Sequence, residues 1–304
     1  MITVLLGLSA SLSYSLHDLI MVRVTRLSRP LTGMFWVFCS SLAIMLPIAL
    51  VVDGLPHGSA QWHALGYAAV GGVFYVAALL ALLRGFAVGA LSLVTPLAAL
   101  EGAFASVYSL LTGEPVGSVT GAALVLAVAG AVAASFVPRS KAPRANGDDR
   151  GEVLPPADGR LPRRRRLGSA AGAGWGLLSG MAFAVTLVLY GHTGAVGPVT
   201  AAAAGRLASL PLVVPLVLAA HATGLPRPLR PRTLLAGAFE AGGYVAAAAA
   251  LARGPVSVAS VTVAQFAFFA VILGMVVLHE RPARHQLVGI GCTVAAVMLF
   301  GVAS

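Results

Sequence analysis

Two glutamates, Glu101 and Glu240, stand inside long apolar runs of a 304-residue chain that carries only ten acidic residues. A charge at the centre of a bilayer costs about 2.5–3.5 kcal/mol, so a residue of this kind is a candidate for function by default. A carboxylate removed from water takes up a proton more readily, and a bound solute can then compete with that proton. The structural alternative for Glu101 is a hydrogen bond to a neighbouring helix. On the first apolar run Ser11, Tyr14 and Asp18 recur at intervals of three and four, with His17 beside Asp18, which makes one polar face. A His and Asp pair can relay protons or form an interfacial salt bridge close to Arg23. Glu240 and Tyr244 share a helix face four residues apart, and Tyr75 closes a glycine-lined stretch that begins at Gly71. Such tyrosines offer an organic ligand aromatic surface and a hydroxyl donor, or else pack at an interface. Gln265, central in another apolar run, can bond a ligand or a second helix. Glu101, Glu240, Asp18, His17, Tyr14, Tyr75, Tyr244 and Gln265 are therefore the candidate binding or proton-carrying residues.

Other chemistry finds little support. Cys39 and Cys292 both fall in apolar runs, which leaves neither a disulfide framework nor a cysteine metal site. The remaining histidines, His57, His63, His192, His221, His279 and His285, lie at the ends of the runs without metal-ligand spacing, and no nucleophile, base and acid set stands out. Gly172, Gly176 and Gly180 sit in an apolar run and are not followed by Lys-Ser or Lys-Thr, so they read as a helix-packing ladder rather than a nucleotide loop. No cofactor, metal or catalytic residue is expected.

The elements that must position these residues are membrane helices. The chain is 58% apolar and 10% charged with a mean hydropathy of +0.91, whereas a soluble domain carries about a quarter charged residues. Ten runs are long enough to cross roughly 30 Å of hydrocarbon, at Ile2 to Ile20, Leu31 to Val52, Ala64 to Leu83, Ala90 to Leu111, Val119 to Val137, Ala170 to Tyr190, Val199 to Ala220, Leu234 to Leu251, Val256 to Leu278 and Gln286 to Val302. They lack strand alternation, so the backbone must be satisfied within helices. The first run has neither a preceding basic residue nor a cleavage pattern and reads as a retained helix.

Between the fifth and sixth runs, residues 138–168 hold five prolines and end in Arg163, Arg164, Arg165 and Arg166. This is the composition of a linker that fixes topology or touches anionic lipid. With ten crossings, seventeen of the twenty Lys and Arg residues fall on one face, Arg84 joins them, and only Arg206 and Arg253 lie on or toward the other. The net charge of +10 is thus orientation rather than a nucleic-acid surface. The bias predicts an inner-membrane protein with a cytoplasmic linker and both termini outside.

A shift of 169 residues superposes Gly7 and Leu8 on Gly176 and Leu177, Ser40 on Ser209, Tyr75 on Tyr244, and Ala81 to Gly85 on Ala250 to Gly254. A five-helix unit crosses an odd number of times, so its second copy enters the membrane inverted. The expected architecture is an all-α membrane protein of ten transmembrane helices in two inverted five-helix repeats, residues 1–137 and 169–304, joined by the linker 138–168. In it Tyr75 and Tyr244 face each other across the pseudo-twofold axis.

Gly7 to Asp18, the ALxRG-like ends of the third and eighth runs, Ser92 to Leu97, Gly113 with Glu114, and Val276 to Gly289 resemble the EamA-type members of the drug/metabolite transporter superfamily. The resemblance implies a ten-helix permease that moves small metabolites or drugs. Two features depart from the family pattern: His279 stands where Gly often precedes the Glu, and Phe266-Ala267 where an aromatic-Pro pair is common. The arginine count also opposes the cytoplasmic termini of well-known relatives. The expected function is a proton-coupled secondary transporter, an exporter of a small organic solute, and not an enzyme. The alternative is a membrane-embedded enzyme or lipid-headgroup-handling protein. Expected partners are a solute, protons and anionic lipid at the linker, without nucleic acid; a homodimer is left open.

Overall fold

The structure is a computed structural model that describes residues 1–54, 56–88, 94, 97–135, 168–277 and 283–303. Among these residues there are eleven α-helices, one short 3-10 turn and no strand. The helices are α1 (Ile2–Leu27), α2 (Pro30–Val52), α3 (Ser59–Val88), α4 (Glu101–Leu111), α5 (Ser118–Ser135), α6 (Gly168–Gly191), α7 (Pro198–Ala219), α8 (Arg230–Arg253), α9 (Val256–Val263), α10 (Phe266–Val277) and α11 (Arg284–Ala303). Seven stretches are long and apolar enough to span a bilayer, and two shorter apolar helices lie at Ser118–Ala133 and Arg284–Phe300. The chain is a multi-pass membrane protein. Most of the expected linker, together with Pro96, His279 and Glu280, lies outside the described residues.

Prolines start two of the helices, since Pro30 and Pro198 hold first-turn positions where no backbone N–H is needed. Pro47, Pro211 and Pro215 sit inside α2 and α7. The helices pack in reciprocal pairs: α1 on α8, α3 on α6, α2 on α7, α4 on α9 and α5 on α11. Gly176 and Gly180 let α6 lie against the backbone of Val94, Leu97 and Ala98, the close approach their spacing anticipates.

One helix expected to be continuous is broken. The run from Val256 to Leu278 forms α9 and α10, separated by a turn at Ala264 and Gln265. Beside the break, Ser11 Oγ of α1 donates to the carbonyls of Thr262 and Val263, each at 2.7 Å, and Ser15 Oγ to that of Phe266, the first residue of α10, at 2.7 Å. Irregular backbone at membrane depth persists only where protein satisfies it in this way.

The Gly113 and Glu114 pair has a local reason. Glu114 N–H bonds the Ser109 carbonyl and Gly113 N–H bonds that of Leu110, which closes α4 in a Schellman turn, and Gly113 takes the left-handed φ of +94° this requires. The turn aims Glu114 at the start of α9, where its carboxylate accepts from the Ser257 N–H at 3.3 Å and from the Ser257 hydroxyl. At the same end of the bundle Asp53, closing α2, accepts from Thr200 Oγ1 in the first turn of α7 at 2.5 Å. Two acids from the first half of the chain thus occupy helix N-termini in the second half, where the dipole favours negative charge.

Candidate functional site

Between α1, α3, α4, α6, α8 and the α9–α10 break lies a cavity of about 200 Å³. Its wall is built from apolar and aromatic residues, among them Leu79, Leu82, Phe183, Leu187, Leu251 and Phe266. Six of the eight sequence candidates line it: Tyr14, His17, Asp18, Tyr75, Glu101 and Tyr244. Tyr190, which the sequence reading passed over, lines it too.

Tyr75 on α3 and Tyr244 on α8 meet edge to face, ring centroids 5.3 Å apart, and Tyr190 makes the same contact with Tyr244 at 5.3 Å. Phe183 packs on Tyr75 at 5.5 Å. T-shaped pairs of this kind set the positive edge of one ring on the negative face of the next. The result is a stiff aromatic wall.

Glu240 belongs to a different arrangement from the isolated carboxylate expected of it. Arg206 Nη2 on α7 donates to Glu240 Oε1 on α8 at 2.5 Å, and the side chains are 0% and 2% exposed. Tyr75 O–H also reaches Oε1, at 3.4 Å. The guanidinium carbon lies 3.8 Å from the centroid of Phe38, 5.0 Å from that of Tyr75 and 4.8 Å from that of Tyr244. Arg206 Nε and Nη1 and Glu240 Oε2 have no hydrogen-bond partner among the described residues, so ring faces take the place of oxygen acceptors around this cation. The pair sits behind the cavity wall, not in it.

Arg206 was expected on or toward the membrane face that carries few charges. Its position eight residues into α7, an otherwise apolar helix, places it at depth instead. The signal was present: the rule that flags intramembrane acids applies equally to an arginine within an apolar run.

Gln265 is spent on the helix break. Its Nε2 donates to the carbonyls of Ala127 and Val261 at 3.1 and 3.0 Å, and its Oε1 accepts from Thr293 Oγ1 at 3.0 Å. It ties α9 to α5 and α11 and does not line the cavity. Glu101 is the first residue of α4 and follows a turn at Ala99 and Leu100. His17 Nδ1 and Asp18 Oδ1 are 3.0 Å apart, with side-chain exposures of 20% and 57%, so they form a pair at the open end of the cavity.

Among curated protein sequences none matches the chain significantly. A crystal structure of another protein superposes with a TM-score of 0.71 over 99% of this chain and 96% of that one, at 16% sequence identity, a likeness of fold. The sequence profile of the EamA-like transporter family matches residues 1–136 and 170–302. With nearly all of the chain outside residues 137–169 covered, the protein belongs to the EamA-like transporter family, within the drug/metabolite transporter superfamily.

Proposed function

We propose that the chain is a secondary active transporter that exports a small organic solute in exchange for protons by alternating access. The observation that carries the reading is a cavity walled by helices from both halves of the chain with two carboxylates, Glu101 and Asp18, in its lining. In this reading Glu101 is the coupling acid. Tyr14, Tyr75 and Tyr244 contact the solute, and His17 with Asp18 forms the entrance. Glu240, neutralised by Arg206, holds the wall, and Gln265 holds the helix break.

Ten crossings in two inverted halves, residues 1–137 and 169–304, give this cycle its two near-equivalent states. The packing supports that symmetry. Exchanging α1, α2 and α3 with α6, α7 and α8 converts the α1–α8 contact into α6–α3 and the α3–α7 contact into α8–α2, and all four contacts are made. The arginine bias supports, in the inner membrane, a cytoplasmic linker able to touch anionic lipid and external termini. Cysteines placed at Ser140 and Ser304, in a chain with Cys39 and Cys292 replaced by Ala, are expected to label from opposite faces of sealed membranes. Labelling from one face would refute ten crossings.

The function itself is tested in proteoliposomes. Solute added to one side is expected to stimulate a proton flux. Product formation in detergent without such a flux would replace this reading with the enzymatic one.

A further inference from the structure

We propose that the turn between α7 and α8 is a headgroup site for anionic phospholipid, built from Arg227, Arg230 and Arg232 with Arg29 of the α1–α2 corner at its edge. The site lies at the rim of the bundle and is independent of the cavity and of what the cavity carries.

The residues of this turn are sorted by solvent. Ala222, Leu225, Leu229 and Thr233 are buried at intervals of three and four, while Arg227, Arg230 and Arg232 between them are exposed. The buried set seats the turn on the bundle, where Ala222 joins a cluster with Val37, Phe38 and Val213. Three carbonyls at its start are also held from the α2 side. Arg29 Nη1 donates to that of Ala220, Thr32 Oγ1 to that of Ala222 at 2.6 Å, and Trp36 Nε1 to that of Thr223 at 2.9 Å. The arginines therefore project from a fixed backbone.

No acid of the described bundle neutralises them. Among the described residues the ion pairs are His17 with Asp18 and Arg206 with Glu240, so none of these four arginines has a carboxylate partner. The first turn of α8 holds no acidic residue, and Arg230 and Arg232 occupy it instead. Cations at that end of a helix repel one another and oppose its dipole. An external anion relieves both conflicts, and guanidinium groups match phosphate oxygens in geometry as well as charge.

The surface beside the arginines makes that phosphate a lipid's. Leu234 and Leu235, which follow Arg232 on α8, are 59% and 51% exposed, and Trp36 on α2 is 39% exposed. At 1.5 Å per residue the leucines lie about 3–4.5 Å further along the helix than Arg232. Charge at the rim, an indole at the boundary and exposed leucines beyond follow the order of headgroup, interface and acyl chain. Free phosphate would use the charge and leave the apolar surface uncovered.

Trp36 is one of three tryptophans in the chain and serves as the reporter. The full chain carrying Trp62→Phe and Trp175→Phe is reconstituted in phosphatidylcholine vesicles. Brominated phosphatidylglycerol is expected to quench Trp36 as strongly as a roughly fivefold larger fraction of brominated phosphatidylcholine. Raising the salt concentration should narrow that gap. Arg227→Gln/Arg230→Gln/Arg232→Gln should bring the two lipids within about twofold of each other. Its emission maximum should not move, because the bond from Trp36 to Thr223 is untouched. Arg163→Gln/Arg164→Gln/Arg165→Gln/Arg166→Gln in the linker should leave the preference in place. Equal quenching by the two lipids at equal fraction, a preference undiminished in the triple variant, or its loss in the linker variant alone would each overturn the site. Inorganic phosphate, compared with chloride at the same ionic strength, is expected not to displace the lipid. Relief of quenching by phosphate alone would assign the arginines to a free anion instead. The headgroup comparison in the arginine-bearing chain decides the preference whether or not the triple variant folds.

Discussion

Arg206→Met in an otherwise unchanged chain is expected to lower stability by about 3–5 kcal/mol, because it leaves the Glu240 carboxylate buried without its partner. Glu240→Leu alone should be comparably damaging, stranding a guanidinium that is 0% exposed. The double variant Arg206→Met/Glu240→Leu should recover most of the loss, since replacing both members of a buried pair by apolar groups of similar volume is close to neutral. Arg206→Lys should fall between. It keeps the charge but loses the planar face that stacks on Phe38, Tyr75 and Tyr244. Reversible unfolding in mixed micelles measures all four. Single variants as stable as the wild type would mean that the pair is not buried as described. Because Tyr75 O–H also reaches Glu240 and the two wall tyrosines touch the guanidinium, solute affinity should fall with stability in the single variants.

Glu101→Gln is expected to abolish gradient-driven accumulation, a fall of at least tenfold, while solute-for-solute exchange at saturating concentration persists. The amide keeps the shape of the carboxyl and cannot carry the proton. The pH dependence sharpens the test. Where solute displaces one proton from Glu101, apparent affinity rises with pH by up to about tenfold per unit, since deprotonation clears the site. In Glu101→Gln that slope should be flat. Radiotracer uptake into proteoliposomes with an imposed pH difference measures both quantities, and full gradient-driven uptake by this variant would remove Glu101 from the coupling step. Glu240→Gln is expected to differ in kind, acting through a loosened α7–α8 contact rather than through the slope.

The helices were legible because lipid leaves few options for the backbone. Runs of apolar length become helices, and proline at a first-turn position marks where α2 and α7 begin. The meeting of Tyr75 and Tyr244 was legible from the 169-residue offset, and the shared face of Tyr14 and Asp18 from helical spacing. The break at Gln265 was not. No proline interrupts Val256 to Leu278, and what stabilises the break is a set of serines on α1 some 251 residues earlier in the chain. The Arg206–Glu240 pair escaped for a related reason. Its repeat counterparts are Val37 and Gly71, so the internal symmetry that revealed the tyrosines carries no trace of it. Only packing could join an arginine placed on or toward the sparsely charged membrane face to a glutamate read as solitary.

The pair also constrains how the chain is made. Its two members are 34 residues apart in the sequence, and at 5–20 residues per second the ribosome needs roughly 2–7 s to pass from one to the other. During that interval α7 presents a guanidinium with no counter-ion, at a translocon penalty of about 2.5–3.5 kcal/mol for a mid-helix position. Lateral release of α7 on its own is therefore disfavoured until α8 arrives. The two segments are expected to leave the channel for the bilayer as a hairpin, already neutral where they touch.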